Sequence, residues 1–352
     1  MKCEELMCVS RTQVRQLRNT VANARQVLIL THGNPDPDSI ASAFALKYII
    51  GRLADCRVRV AYTGVIGRME NRTMIDELQL LMVKLDEIKW RSYDILALVD
   101  HQPRRRMYPW PKNRWPDIII DHHPRRRFEQ PVTMTDVRTG FGSNSALLAS
   151  YLYAMDIKPP RWLATALVYG ILTDTQQFSR GNIHFDKQLY LWLFSYVDHQ
   201  KLNRISNPIK ECRYITDHWK GIKNARLWHD VAESYVGNLV VPDLTAQIAD
   251  DLMSVRGVKY SMVSGYHENT LYASLRIRHP RRDAGSLIRK LVGRKGSAGG
   301  HGRMAGAQIS DLESETDAAK IANALHRQLT AVIHPNTFQE LNPVNVIKED
   351  EE

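Results

Sequence analysis

One short stretch of this 352-residue chain, His32-Gly33-Asn34-Pro35-Asp36-Pro37-Asp38-Ser39, holds a histidine and two aspartates. Imidazole and carboxylate groups in one turn can converge on a divalent cation. The same Asp and Ser side chains can also cap a helix. Three further segments pose a similar choice. Asp100 closes the apolar run Ile95–Val99, Asp121-His122-His123 follows Ile118-Ile119-Ile120, and Asp174 ends an apolar helical pattern. Asp100 alone reads equally as a loop cap, and Asp174 as a C-terminal turn. Three ionisable groups directly behind a buried strand need partners or a metal. Together His32, Asp36, Asp38, Asp100, His122 and Asp174 form a mixed oxygen and nitrogen set. Such a set suits Mn²⁺ or a similar ion better than structural zinc, which favours thiolates. Six ligands exceed what one ion needs when waters remain. Two ions roughly 3.5–4 Å apart could activate water and clamp a phosphoryl group.

The elements that would position these groups are legible as periodicity. Val27–Thr31, Arg57–Tyr62, Asp94–Val99 and Asp117–Ile120 read as short β runs. Residues 1–25, Ile40–Leu53, Asn144–Met155 and Arg161–Leu172 read as helices. Strands alternating with helices predict an α/β fold, a doubly wound, mostly parallel sheet covered on both faces. Ligands in such sheets bind at the carboxyl ends of strands, where the first three segments stand, while Asp174 stands at the end of a predicted helix. A second, smaller α/β domain is expected from runs at Asn238–Val241, Tyr260–Gly265 and Leu271–Ile277, with a Gly-rich loop at 296–302. The expected division is 1–190 for the catalytic domain, 191–236 for a helical linker without strands, 237–335 for the second domain and 336–352 for a charged tail.

Bulk properties set the class. Hydrophobic residues make up 43% and charged residues 24%, ordinary for a globular protein. The longest apolar runs fall short of the roughly 18 residues that span a bilayer, and no signal-peptide core opens the chain. The expectation is a cytoplasmic protein without membrane attachment. Four cysteines without a CxxC pair predict free thiols. The net charge of +10 attracts phosphates but does not by itself require them.

The order His32…Asp36-Pro37-Asp38, Asp100, Asp121-His122-His123, Asp174 resembles the four motifs of the DHH phosphoesterase superfamily. Ser297-Ala298-Gly299-Gly300-His301-Gly302-Arg303-Met304-Ala305-Gly306, preceded by Ser274-Leu275-Arg276, resembles the signature of the DHH-associated C-terminal domain. The resemblance spans roughly residues 27–310. It implies that His32, Asp36 and Asp100 hold one metal and that Asp38, Asp100, His122 and Asp174 hold the other. It implies catalytic roles for His123 at the substrate phosphate, Asp121 behind a histidine and Asn34 near the substrate. Arg276, Gly299, Gly300, His301 and Arg303 would bind substrate. The implied cofactor is two Mn²⁺ ions, with Mg²⁺ or Co²⁺ as alternatives. Pro37 and Met304 depart from the usual family residues.

The layout is most similar to the oligoribonuclease and pAp-phosphatase branch, which implies small nucleotides, dinucleotides or short RNA or DNA as substrate. Two other readings stay open, a non-catalytic nucleotide sensor and a longer single-strand exonuclease. The resemblance also leaves a homodimer open. Arg104–Arg106 and Arg125–Arg127 leave the same sheet edge as the proposed metals. They read either as phosphate contacts or as solvated loops. Arg278, Arg281, Arg282, Arg294 and Lys295 add a basic face to the second domain. Tyr108, Trp110 and Trp115 read more readily as packing than as base-stacking residues.

Overall fold

The structure, a computed structural model, describes residues 3–89, 92–103, 114–128, 130–181, 183–279, 282–335 and 343–346. Arg104–Arg106, Tyr108, Trp110, Arg281 and nearly all of the tail lie outside them. The chain divides into two compact units, 1–208 and 209–352. The division falls inside the segment read as a linker.

In the first unit six strands form one sheet: β1 (Gln26–Leu30), β2 (Arg57–Tyr62), β3 (Met82–Lys84), β4 (Ile95–Val99), β5 (Ile118–Asp121) and β6 (Met134–Val137). Their order is β3-β2-β1-β4-β5-β6, and every pair is parallel. The winding reverses between β1 and β4, which opens a crevice at the carboxyl ends there. Among the described residues, seven α-helices accompany the sheet: α1 (Cys3–Val21), α2 (Pro37–Leu53), α3 (Met69–Leu78), α4 (Asn144–Ala154), α5 (Arg161–Asp174), α6 (His184–Phe194) and α7 (His199–Ser206).

The sheet is buried on both faces, so its strands read as unbroken apolar runs. Successive residues still point to opposite sides. Val27, Ile29, Ala97, Val99, Ile118 and Ile120 face a core shared with α1, α2, α4, α5 and α6. Leu28, Leu30, Leu96, Leu98 and Ile119 face a smaller cluster covered by Leu85, Ile88, Tyr93, Phe128 and Val132. That cover is a 3₁₀ turn at Leu85–Glu87 and loops rather than a helix layer. The α/β class and parallel sheet are as the periodicity indicates. The expectation did not include β3, β6 or α3.

The second unit holds α8 (Cys212–Lys223), β7 (Arg226–Trp228), β8 (Val231–Asn238), α9 (Leu244–Met253), β9 (Tyr260–His267), β10 (Thr270–Ile277), α10 (Ala284–Val292), β11 (Ser297–His301), β12 (Met304–Ile309), α11 (Glu315–Ile333) and β13 (Val344–Asn345). These strands make a seven-stranded mixed sheet in the order β11-β12-β10-β9-β8-β7-β13, in which β8 and β9 run parallel. Leu271, Ala273, Leu275, Ala305 and Ala307 face α10 and α11.

Three expectations are corrected here. Residues 226–236, placed in a helical linker, form β7 and most of β8. The run at Asn238–Val241 is not a strand, because β8 ends at Asn238. The Gly-rich segment is not a loop through 296–302. Its residues Ser297–His301 are a strand paired with β12, since glycine lacks side chains that signal β structure but has a backbone that pairs normally. No described helix is long and apolar enough to cross a membrane.

Candidate metal centre

The first motif leaves β1 and enters α2. Pro37 is the first residue of α2, where its fixed φ is favourable and its missing N–H is not needed. Asp36 is the N-cap, and its Oδ1 accepts the Ser39 N–H at 2.9 Å. The same oxygen faces His32, and a carboxylate oxygen has lone pairs enough for both a cap bond and a metal, so the capping and metal readings of this turn hold together. His32 Nδ1 donates to the Gly33 carbonyl at 3.0 Å. Nε2 then lies 3.5 Å from both Asp36 Oδ1 and Asp100 Oδ2. Asn34 takes a left-handed φ of 57°, tolerated by Asn. Its Oδ1 accepts the Val65 N–H at 2.8 Å, which commits that oxygen to the neighbouring turn.

Asp38 is buried in the first turn of α2. Its two oxygens accept the N–H groups of Asn144 and Ser145, each at 2.7 Å, at the start of α4. Unpaired amides at a helix N-terminus favour an anion there. Asp100 follows β4 with φ 63° and is 3% exposed. Its N–H bonds the Ile120 carbonyl at 2.9 Å, which ties the ends of β4 and β5 together. Asp121 ends β5, and His122 and His123 follow. His122 Nδ1 is 3.4 Å from the Phe141 carbonyl. Its Nε2 lies 3.4 Å from Asp100 Oδ1, 3.3 Å from Asp174 Oδ2 and 3.9 Å from Asp38 Oδ2. Asp174 is the last residue of α5.

Six sequence-predicted ligands thus meet as two overlapping sets. His32, Asp36 and Asp100 form one, and Asp38, His122 and Asp174 form the other. Asp100 lies against both, since one of its oxygens faces His32 and the other faces His122. Asp100 Oδ1 and His122 Nε2 are buried without a hydrogen-bond partner. Buried polar atoms without partners are rare and need an explanation. Nitrogen and carboxylate donors of this kind fit a divalent cation of the Mn²⁺ type.

The metal-free electrostatics follow from this crowding. Burial, then repulsion from Asp100 and Asp174, raises the Asp38 pKa well above the usual carboxylate range. Burial, with repulsion from Asp100 and Asp36, outweighs the pull of His122 and lifts Asp174 to about 6. For His122, burial opposes the charged ring. The close approach of Asp100 at 3.4 Å and the charges of Asp100, Asp38 and Asp174 prevail and raise it to about 10. His32 is raised against burial by Asp36 and Asp100.

Histidines raised in the folded state contribute stability that is full below their ordinary pKa near 6.5. That stability is lost as pH rises through their folded values. The EDTA-treated protein is therefore expected to lose thermal stability between pH 7 and 10. Added Mn²⁺, which needs the neutral rings, is expected to raise the melting temperature more at pH 9 than at pH 7. Melting curves across that range test this, and a metal-free stability that rises above pH 7 would contradict it.

His123 differs from His122. Its Nδ1 donates to Asp121 Oδ1 at 2.8 Å, and its side chain is 42% exposed. Burial lowers the Asp121 charge preference less than its bonds to His123 and Gln102 raise it, so its carboxyl is held down at about 2. The Nδ1–H bond fixes the tautomer in which Nε2 is the acceptor nitrogen of the neutral ring.

Two neighbours were not anticipated from the sequence. Gln102, 4% exposed, donates from Nε2 to Asp121 Oδ2 at 2.5 Å. His101 is buried with its Nδ1 2.8 Å from the Val99 carbonyl and its ring edge-on to His32. Burial, with the nearby His32 charge, depresses its pKa to about 4. Their position directly after Asp100 at the end of an apolar strand was the available signal.

In the second unit Arg276 is 7% exposed and bonds Asp250 of α9, from Nε to Oδ1 at 2.5 Å and from Nη2 to Oδ2 at 3.3 Å. Most of its donors are thereby engaged inside the unit. Arg276 is in register with Met304, and Ser274–Gly306–Gly299 is the adjacent cross-strand row. Gly299, Gly300, Arg303, Met304 and Gly306 are exposed. Gly302 (φ 56°) and Arg303 form the two-residue turn between β11 and β12, where a positive φ is required. The His301 side chain lies outside what the structure describes.

The family described as "DHH family, N-terminal domain" matches residues 26–171. The "DHHA1 domain" matches residues 230–328. An uncharacterised protein of Methanocaldococcus jannaschii is 33% identical over 284 residues, covering 80% of this chain and 58% of that protein. The chain thus spans a little over half the length of this relative. The crystal structure of an exopolyphosphatase-related protein from Bacteroides fragilis superposes with a TM-score of 0.69. It covers 92% of this chain and 98% of that one at 15% identity, which is a likeness of fold. With both domains present in this order, and with the motif residues gathered at the carboxyl ends of β1, β4 and β5 and the end of α5, the chain belongs to the DHH superfamily.

Proposed function

We infer that this chain is a hydrolase for phosphate esters in small nucleotides or very short oligonucleotides, working with two divalent cations, Mn²⁺ foremost. The observation that carries this reading is the pair of ligand sets meeting at Asp100, with Asp100 Oδ1 and His122 Nε2 buried and without hydrogen-bond partners. His32, Asp36 and Asp100 would hold one ion, and Asp38, Asp100, His122 and Asp174 the other. Bound there, divalent cations supply Lewis acidity that makes water nucleophilic and offsets phosphoryl charge.

The chain's own groups prepare the site. The Gly33 and Phe141 carbonyls fix the tautomers of His32 and His122, which leaves each Nε2 as the donor to metal. Asp121 orients His123 so that Nε2 can bond a phosphoryl oxygen or carry a proton at the leaving group. The exposed strip at Gly299, Gly300 and Gly306, with Arg303 beside it, offers bare backbone to a nucleotide. The pairing of a GGH-bearing second domain with the first supports the oligoribonuclease and pAp-phosphatase branch. The cytoplasm and a homodimer remain expectations for this reading.

The test is release of phosphate or mononucleotide from pAp, a diribonucleotide and a longer single strand with Mn²⁺. Turnover of the short substrates is expected to exceed that of the long strand by about tenfold or more. Equal or faster degradation of the long strand, with binding that weakens steeply in salt, would favour an exonuclease. Tight nucleotide binding without turnover would favour a sensor.

A further inference from the structure

Asp186 stands in the first turn of α6 and is wholly buried, yet it belongs to neither ligand set. Burying a carboxylate is costly unless its oxygens are bonded. Here Oδ2 accepts the Gly142 N–H and Oδ1 accepts the Ser143 hydroxyl, each at 2.7 Å. Ser143 is the N-cap of α4, and its Oγ accepts the Ala146 N–H at 3.2 Å. That bond alone caps a helix. The two bonds to Asp186 go beyond capping and fix the turn that precedes α4.

This turn serves the second ligand set from two sides. The N–H groups of Asn144 and Ser145 hold the two oxygens of Asp38. The Phe141 carbonyl lies 3.4 Å from His122 Nδ1. Packing leaves the turn little room, because a Cβ on Gly142 would lie 3.0 Å from Thr175 Cγ2 and 3.4 Å from the Asp186 carboxylate. Thr175 directly follows Asp174. His32 and Asp36 take their bonds elsewhere, from the Gly33 carbonyl and the Ser39 N–H. A displaced turn therefore reaches Asp38 and His122 and bypasses the first set. Groups that hold a ligand from behind typically change metal affinity by roughly 10–100-fold.

We propose that Asp186 is a positioning residue for the second ion alone. Through Gly142 and Ser143 it holds the turn that aims Asp38 and His122. The ion on Asp38, His122 and Asp174 then depends on a buried carboxylate of α6 that never touches it. The ion on His32 and Asp36 does not. The inference rests on the two-ion reading and assigns the two sets different supports.

The experiment measures Mn²⁺ binding to the full chain by equilibrium dialysis in two backgrounds. In Asp36→Asn the second set reports the ion that stays bound, and in Asp174→Asn the first set does. Asp186→Leu keeps the approximate shape but removes both acceptors. It is expected to weaken Mn²⁺ by about tenfold or more in the Asp36→Asn background and by less than about threefold in the Asp174→Asn background. Asp186→Asn can still accept the Gly142 N–H and donate to Ser143 Oγ, so it is expected to restore most of the affinity. Melting curves in EDTA check that each variant is folded. If Asp186→Leu does not fold, Ser143→Ala decides by the same comparison, with a loss confined to the Asp36→Asn background. Equal weakening in both backgrounds marks a merely structural residue and overturns the proposal, as does unchanged binding in both. Asp186→Asn no better than Asp186→Leu overturns the role of the two bonds. A wild-type chain that binds fewer than two ions would instead remove the two-ion reading itself.

Discussion

Asp100→Asn is expected to lower hydrolysis by about three orders of magnitude or more, a loss of roughly 4 kcal/mol of transition-state stabilisation. The reason is geometric. Asp100 Oδ2 faces His32 and Oδ1 faces His122, so one carboxylate serves both ligand sets. Without it one set is reduced to His32 and Asp36, while Asp38, His122 and Asp174 still converge. Bound Mn²⁺ is therefore expected to fall from two ions per chain to one, measured by equilibrium dialysis with metal analysis. Asn is the informative substitution because φ at this position is 63°, a conformation Asn adopts readily. Alanine would add roughly 1–2 kcal/mol of backbone strain. Activity within tenfold of wild type, or two ions still bound, would remove Asp100 from its shared role.

Gly285→Ala is expected to give the largest stability loss outside the metal centre. Gly285 sits in the first turn of α10, and a Cβ there would fall well inside van der Waals contact with the Gly300 carbonyl. The obstruction is backbone, so no side-chain rotation relieves it. Overpacking of this kind costs about 3 kcal/mol, which corresponds to a melting temperature lower by about 10 °C. Gly299→Ala is the contrast, since no atom lies within 4 Å of a Cβ at that position. Its effect on melting should be under about 2 °C. Equal melting temperatures for the two variants would show that α10 can move away from β11 without cost.

The ligand set was legible because each of its strands is a short, wholly apolar run. Where such a run stops at an ionisable residue, the strand end and the functional group are marked together. Asp100 after Ile95–Val99 and Asp121 within Ile118–Asp121 are of this kind. The rest had weaker marks. β3 is three residues long, and β6, Met134–Val137, includes Asp136, which is buried through its bonds to Arg138 and Tyr151. β8 was hidden in a segment read as helical because Glu233 and Ser234 interrupt its apolar pattern. Both are buried all the same, and Ser234 bonds the Gly221 carbonyl. β11 is mostly glycine and small residues, and its conformation comes from pairing with β12 and from the close approach of α10. The place of Gln102 just after Asp100 marked it as near the site, but not its role, because its partners at Asp121, Pro124 and Arg126 are brought to it by β4–β5 pairing.

The reversal of winding between β1 and β4 has a consequence for how the protein is made. Its first metal ligand stands at residue 32 and its last at 174, with the others supplied by different segments between. The central strand β1 is completed on one side only when β4 has been synthesised, and α5 brings Asp174 in after that. A nascent chain still on the ribosome at residue 150 would have β1 to β6 and the set of His32, Asp36 and Asp100, but the second set would still lack Asp174. Both sets of candidate ligands are therefore complete only after translation has passed α5.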